Sequence, residues 1–383
     1  MTEERQKPRL MRTPKSIDLS ITTRCNLRCK YCSHFTSASD VSSDLPKEEW
    51  IKFIEEMGRC AVLEVTLEGG EIFVREDLKE IIEAIIKNRM RFSVLSNGTL
   101  ITKEWAKYLK ECGRCSSVQV SIDGSIPATH DSFRGKGTFY KAVEGLKNLM
   151  EAGVNSTVRV TIHRKNVHDL ENVAKLLLED IGLPGFSTNS ASHMGTCRSN
   201  SDQVQLTPEE RSLAMVTLLK LNRKYGGRIG AMAGPLSEAK FFTKMVQSLR
   251  ENKPPLSGGG YLTSCGGPNS KLAVRPDGVI VLCLQMCHIE LGHINKDSLQ
   301  DIWQNHPEAW KLRGRRQIPL TNFEFCKGCE YMPYCRGGCP ALAYTWTNEV
   351  YGPSPDACLR KFLQDGGTLP DESLINEKEA CGC

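Results

Sequence analysis

Three cysteines, Cys25, Cys29 and Cys32, stand at C-x3-C-x2-C spacing directly after the alternation Ile17-Asp18-Leu19-Ser20-Ile21. Alternation of apolar and polar residues reads as a β-strand, so the thiols fall on the loop at its end. Three thiolates are one short of the four that close a [4Fe–4S] cube with one cysteine per iron. A cluster held this way keeps one iron free to bind something else. A zinc site is the rival reading; it needs a fourth Cys or His, and His34 is the local candidate.

Further along, groups with chemical potential recur at the ends of strand-like segments. The second such segment runs into Glu68-Gly69-Gly70-Glu71-Ile72, the third into Leu95-Ser96-Asn97-Gly98-Thr99 and the fourth into Val120-Ser121-Ile122-Asp123-Gly124. A Gly-Gly pair and an Asn-Gly pair also serve as plain turns. Ser121 and Asp123 are two apart on a strand and therefore share a face, where a hydroxyl and a carboxylate could grip a diol jointly; a strand-end Asp capping the next turn is the alternative. Arg159 and Thr161 share a face of the fifth segment in the same way and could line the same cavity, and His130-Asp131-Ser132-Phe133-Arg134-Gly135, after the fourth, reads either as a shaper of the pocket mouth or as a solvated loop with a buried Phe133.

A second cysteine constellation fills the last third of the chain. Cys265 is followed by x12-Gly278-x4-Cys283, then, after a gap, by Cys326-x2-Cys329-x5-Cys335-x3-Cys339 and finally by Cys358. Asp277-Gly278, set between Val274 and Val279, is a hairpin signal that brings Cys265 and Cys283 together across two strands.

These motifs together resemble the radical S-adenosylmethionine (SAM) superfamily, and the seven-cysteine pattern is similar to its SPASM domain in every spacing. The resemblance implies that Cys25, Cys29 and Cys32 bind a [4Fe–4S] cluster whose open iron is chelated by SAM, and that an electron from this cluster cleaves SAM to methionine and a 5'-deoxyadenosyl radical. It also implies SAM contacts from Gly69, Gly70, Glu71, Ser96, Asn97, Ser121 and Asp123. Glu71 would meet the amino group, and Ser121 and Asp123 would lie near the ribose. Ile72 departs from the family's usual Gly-Gly-Glu-Pro. By the same resemblance Cys265, Cys283 and Cys339 hold one auxiliary cluster and Cys326, Cys329, Cys335 and Cys358 a second, fully ligated one, both expected to be [4Fe–4S]. The fourth ligand of the first is either absent, leaving an open iron, or Cys287. Leu284 stands where sulfatase-maturating members carry an acidic residue.

To position these groups the chain alternates strands and helices. Strands are predicted over 17–21, 63–67, 91–95, 117–122, 156–162 and 186–190, with helices over 47–57, 76–88, 103–111, 140–151, 169–178 and 208–225. Leu78, Ile81, Ile82 and Ile85, at helical spacing, put one face against a sheet. Such alternation calls for a parallel sheet with outer helices joined by right-handed crossovers, here an α/β fold of six units, a partial TIM-like (β/α)6 barrel with a C-terminal Cys-rich SPASM domain. Parallel β/α folds place ligands at the C-terminal strand ends. The expected divisions are a polar extension over 1–15, the barrel over 16–225, a Gly/Pro-punctuated linker over 226–257 with a helix at 237–250, the SPASM domain over 258–364 and a flexible tail over 365–383.

At 383 residues one large barrel and a smaller domain are expected. The net charge of +5 comes from interleaved Lys, Arg, Asp and Glu and gives no nucleic-acid surface. No apolar run reaches membrane-spanning length, and the polar, basic start has no apolar secretion signal. Seventeen cysteines in that context read as metal thiolates of a reducing cytoplasm rather than disulfides. Of the spare thiols, Cys60 reads as packing, Cys112 and Cys115 as a C-x2-C at a helix end, and Cys197 as a possible hydrogen donor facing the cavity. The ending Ala380-Cys381-Gly382-Cys383 resembles the Ala-Cys-Gly-X motif of a group of SPASM peptide maturases and their small partner peptides.

The expected activity is that of a radical SAM/SPASM maturase forming a thioether or other cross-link in a small Cys-rich ribosomal peptide. A separate leader-recognition protein and a flavodoxin- or ferredoxin-type electron donor are the expected helpers. The alternatives are modification of a haem-type or quinone cofactor precursor, peptide epimerisation, and a non-catalytic iron–sulfur electron-transfer protein.

Overall fold

A computed structural model of the chain describes residues 10–34, 44–255 and 257–375; the Ala380–Cys383 ending and its cysteines lie outside them. One sheet of ten strands organises the described residues, in the order β10-β9-β8-β1-β2-β3-β4-β5-β6-β7. Strands β1 (Ser16–Ser20), β2 (Glu64–Glu68), β3 (Arg91–Ser96), β4 (Cys115–Ser121), β5 (Ser156–Ile162), β6 (Phe186–Ser190) and β7 (Ile229–Ala231) run parallel. The first six are the expected ones, within two residues at each end. On the other side of β1 lies β8 (Lys271–Val274), also parallel to it, then β9 (Val279–Val281), antiparallel to β8, and β10 (Glu290–His293), antiparallel to β9.

The crossover helices follow from local signals. They are α1 (Lys47–Arg59), α2 (Leu78–Lys87), α3 (Lys103–Glu111), α4 (Pro127–Arg134), α5 (Thr138–Glu151) and α6 (Leu170–Lys175), then two single turns, α7 (Thr196–Ser199) and α8 (Ser201–Val204), and the long α9 (Pro208–Lys224) and α10 (Pro235–Arg250). In α2, Leu78, Ile81, Ile82, Ala84 and Ile85 are all buried, the one-sided stripe its spacing predicts. The N-terminus of α9 is a capping box: Thr207 accepts from the Glu210 amide and Glu210 accepts from the Thr207 amide. Residues 130–134 are helical rather than a loop: they form the C-terminal part of α4, which starts on Pro127 and stops at Gly135, whose φ is +119°. Proline at the first helical position and glycine just past the last were the signals that mark it. Between residues 226 and 257, β7 extends the sheet and α10 packs on α9.

Alternate residues of the strands divide two environments. Ile17, Leu19, Val65, Leu67, Phe92, Val94, Val118, Val120, Val158 and Val160 are buried under the helices. Their neighbours Asp18, Thr66, Ser93, Gln119, Arg159 and Ser187 are only partly buried. A fully closed parallel barrel fills its centre with branched apolar side chains; here the inner face is polar. Asp18 pairs with Lys271 across it, and Ser16, Thr66, Ser93 and Ser116 help line a cavity of about 280 Å³ there.

The C-terminal region adds α11 (Leu299–Asn305), α12 (Pro307–Gly314), α13 (Pro340–Thr347) and α14 (Leu359–Gln364), linked by short 3-10 turns. Among the described residues no helix is long and apolar enough to cross a membrane.

Candidate iron–sulfur and SAM site

The loop carrying Cys25, Cys29 and Cys32 leaves the C-terminal end of β1 and is laced to the ends of its neighbours. Thr22 and Arg24 carbonyls accept from the amides of Gly70 and Glu71, both at 2.9 Å. A Cβ on Gly69 would overlap the Thr22 carbonyl oxygen, and one on Gly70 the Arg24 carbonyl oxygen. The two glycines are thus required where the cysteine loop crosses them, and Gly69 also adopts φ +140°.

From β3, the Asn97 side-chain amide donates to Asn26 Oδ1 at 2.9 Å and Asn26 Nδ2 donates to Thr99 Oγ1 at 2.9 Å. Asn97 Nδ2 lies 4.0 Å from Cys25 Sγ. Glu71 is fully buried, and its carboxylate accepts from Ser96 Oγ (2.9 and 3.1 Å), the Asn97 amide (2.7 Å) and the Phe73 amide (3.3 Å). Burial pushes its carboxyl up to about 7 against the pull of those donors. Gly69, Gly70, Glu71, Ser96 and Asn97 therefore meet at one place, against Cys25.

On the far side, Thr196 donates from its amide to the Cys32 carbonyl (3.0 Å) and from its hydroxyl to the Cys29 carbonyl (3.0 Å). Lys30 donates its amide to the Phe133 carbonyl, 3.0 Å. Tyr31, between the second and third cysteines, donates its hydroxyl to Asp123, which also pairs with Arg134. Ser121 lies at the end of β4 in register with Arg159 of β5. His34 Nε2 lies 3.6 Å from Glu68 Oε2.

The thiols are near enough to one another to repel as thiolates, Cys29 feeling both Cys25 and Cys32. Burial pushes Cys29 up to about 12 and raises Cys25, so binding iron must expel protons from this loop. Among the described residues no three Cys, His, Asp or Glu side chains converge on one point as around a single metal ion. In a cube each thiolate takes its own iron at a separate corner, so the ligands ring a volume.

Four of the C-terminal cysteines make such a ring. Cys326, Cys329, Cys335 and Cys358 line one cavity with Leu320, Phe325, Met332 and Arg360. Backbone amides of Gly337 and Lys361 point at Cys335 and Cys358 sulfurs, both at 3.4 Å. A donor set of four thiols with amide hydrogen bonds in an apolar shell suits a closed cluster. Burial holds Cys326 at about 12 and Cys335 at about 11.

The remaining three meet elsewhere: Cys283 senses the charge of Cys339 and Cys265, and Cys339 that of Cys265. The hairpin of β8 and β9 brings Cys283 to this point, as its Asp277-Gly278 turn predicts. Arg315, buried at 3% exposure, ties the region together by donating to the carbonyls of Val350 (3.0 Å), Leu262 (3.3 Å), Gly338 (3.3 Å) and Gly352 (2.8 Å). The exposed Cys287 is turned elsewhere. Its thiol donates to the Leu284 carbonyl at 2.7 Å, and its charged neighbours are Arg275, Asp277 and Glu68.

Sequence reasoning missed Asn26, Tyr31, Arg134, Thr196 and Arg315. The first two lie inside the cysteine motif, where the ligands drew the attention, and Arg134 lay in the stretch read as a loop. Cys197, read as a hydrogen donor facing the cavity, is fully buried among Phe133, Ala191 and Val204 against Tyr31; it packs the back of the cysteine loop. Cys60 is half-buried against the core. Cys112 and Cys115 lie where α3 turns into β4, at the N-terminal end of the strands.

Comparison with known proteins agrees with this geometry. The family model of the radical SAM superfamily matches residues 19–177, and that of an iron–sulfur cluster-binding domain, SPASM, matches residues 265–330. The chain is 29% identical to Fe-coproporphyrin III synthase of Methanosarcina barkeri, over 89% of this chain and 87% of that protein. It is 24% identical to PqqA peptide cyclase of Granulibacter bethesdensis, over 90% and 87%. With the sporulation killing factor maturation protein SkfB of Bacillus subtilis it shares 28% identity over 76% of this chain and 64% of that one. In fold it is similar to Streptococcus suis SuiB bound to S-adenosylmethionine, with a TM-score of 0.67 and 14% identity over 91% of this chain and 78% of that one.

Proposed function

This chain belongs to the radical SAM superfamily and carries a SPASM domain, and from that premise we propose that it matures a small Cys-rich ribosomal peptide by forming a thioether or related cross-link. The enzyme's groups are a [4Fe–4S] cluster with SAM and auxiliary iron–sulfur clusters; when bound they supply the 5'-deoxyadenosyl radical that takes a hydrogen atom and the sites that accept an electron or a thiol.

The residues divide the work. Cys25, Cys29 and Cys32 hold the first cluster. Gly69 and Gly70 let the cysteine loop lie flat on the strand ends, Glu71 locks Ser96 and Asn97 in place, and these residues with Ser121 line the space for SAM. Cys326, Cys329, Cys335 and Cys358 enclose one auxiliary cluster. Cys265, Cys283 and Cys339 hold another. Residues 16–225 form the SAM-cleaving unit and 258–364 the auxiliary-cluster unit, with 226–257 bridging them.

One observation carries the peptide reading. The set Cys265, Cys283 and Cys339 has three thiols, while Cys287 directs its sulfur to the Leu284 carbonyl among Arg275, Asp277 and Glu68. A fourth position left to a substrate thiol would hold a peptide cysteine for the cross-link. Among the relatives, PqqA peptide cyclase acts on a peptide by its name, and SkfB is named for the maturation of a sporulation killing factor. A separate leader-recognition protein and a flavodoxin- or ferredoxin-type reductant complete the scheme.

The test is anaerobic co-expression with a Cys-rich peptide encoded beside the gene, followed by mass spectrometry. Loss of two hydrogen atoms per cross-link, abolished by replacing the peptide cysteine, is expected. An unaltered peptide, with SAM cleavage intact, sinks the reading. The likeness to Fe-coproporphyrin III synthase favours a second one: turnover of an iron porphyrin by the same preparation would establish it in place of the first.

A further inference from the structure

The Asp123 carboxylate is wholly buried, and its hydrogen-bonding capacity is largely taken. One oxygen accepts from the Tyr31 hydroxyl and from Arg134 Nε; the other accepts from the Thr161 amide at 2.7 Å. The backbone on either side is fixed as well: the Asp123 amide donates to His130 Nδ1 (3.2 Å) and its carbonyl accepts from Asn166 Nδ2 (2.8 Å). A carboxylate offers about four lone-pair sites. Three are taken, so a sugar diol would have to displace Tyr31, Arg134 or the Thr161 amide to claim a pair.

What Asp123 does hold is the cysteine loop. Tyr31 sits between Cys29 and Cys32, so its bond to Asp123 moors the loop to the end of β4. Phe133 and His163 pack on the Tyr31 ring, with ring centres 6.2 and 5.6 Å away, and the Arg134 guanidinium lies 5.5 Å from its centre. The amide of Lys30 is bonded to the Phe133 carbonyl one residue before Arg134. Helix α4 therefore touches the loop by backbone, ring and charge together. A buried carboxylate needs a paired cation, and Arg134 supplies it from a position where its charge also acts on Cys29.

We propose that Asp123, paired with Arg134, is a positioning residue that fixes the cluster loop through the Tyr31 hydroxyl, rather than a ligand of the SAM ribose. The assignment concerns the first cluster alone and stands apart from the peptide reading.

Tyr31→Phe removes one hydroxyl and keeps the ring packing; Asp123→Asn and Arg134→Lys complete the set. With the reconstituted full chain, three things are measured: the electron paramagnetic resonance of the reduced first cluster, recognised by its response to SAM; the rate at which a chelator extracts its iron; and the relative affinity for SAM and 2'-deoxy-SAM. In Tyr31→Phe and Asp123→Asn the cluster spectrum shifts and iron leaves roughly tenfold faster, as for other groups that orient metal ligands. Arg134→Lys, which keeps the charge, lies between these and the wild type. Discrimination between the two SAM forms stays at the wild-type ratio in Asp123→Asn. An unshifted spectrum and extraction rate in Tyr31→Phe overturns the proposal, and so does loss of that discrimination in Asp123→Asn, whatever the spectrum.

Discussion

Asn97, at the end of β3, donates its side-chain amide to Asn26, inside the cysteine loop, at 2.9 Å, and Asn26 donates in turn to Thr99 at the same distance. This small ring of amides binds the motif at one strand end to the motif at another, 71 residues apart in sequence.

Breaking the ring should loosen the loop more than the fold. Asn26→Ala is expected to cost about 1 kcal/mol of apo-protein stability, read by denaturant titration, while iron bound at the first site after reconstitution falls well below wild type. Auxiliary iron should stay constant, which the cysteine variants below allow to be counted separately.

Gly70→Ala should be the more damaging change. Its Cβ would meet the Arg24 carbonyl oxygen, and the loop must move to admit it, a cost of about 1–3 kcal/mol. Gly113→Ala is the control: it has a positive φ but open space around it, so only backbone strain is added. Thermal unfolding and iron content should separate the two variants, and equal iron in both would contradict the steric account.

Cysteine replacements should divide the chemistry. Cys29→Ala is expected to abolish SAM cleavage, measured as 5'-deoxyadenosine released after anaerobic reduction. Cys329→Ala, which breaches the four-thiol ring, should spare uncoupled cleavage and lose product. Equal loss of cleavage in both, with the first cluster spectroscopically intact in the second, contradicts that division.

Acid should weaken the barrel through its buried imidazoles. Burial lowers His130 and His163 to about 4 each, against about 6.5 when unfolded. Between those values the unfolded chain binds the extra protons, so stability is full above pH 6.5 and lost as pH falls toward 4. Glu71, raised to about 7 by burial, acts oppositely, losing stability as pH climbs from its unfolded range to 7. The diagnostic is therefore a difference: the stability gap between wild type and His163→Gln should shrink by roughly 1.4 kcal/mol per pH unit as pH drops from 6.5 to 4.5. A constant gap in urea titrations would remove His163 from the account.

The six parallel strands were legible because residues such as Val118 and Val120 must be buried while their neighbours are not, and that demand is written at a period of two. The cysteine sets were legible because a ligand's residue type admits few substitutes. Less visible was whatever depends on a partner far away in the chain. Nothing near Lys271 says that its strand will join β1, and nothing near Asp123 says that Tyr31 and Arg134 will reach it. Helix α4 was missed for a local reason: His130 to Arg134 has no strong apolar stripe, and its end signals, Pro127 and Gly135, carried the information instead.

The pairing of β8 with β1 has a mechanical consequence. Ser16 to Leu19 are laddered on one side to β2 and on the other to β8, so the strand that carries the first cysteines is interior only while the C-terminal region is present. A protein cut before residue 258 would present β1 as a naked edge, with its amides and carbonyls ready to recruit another chain. Truncation should therefore yield aggregates rather than a free-standing SAM-cleaving barrel. In the intact chain the same ladder makes the spacing between the first cysteine loop and the Cys283 hairpin a property of a rigid sheet rather than of a hinge.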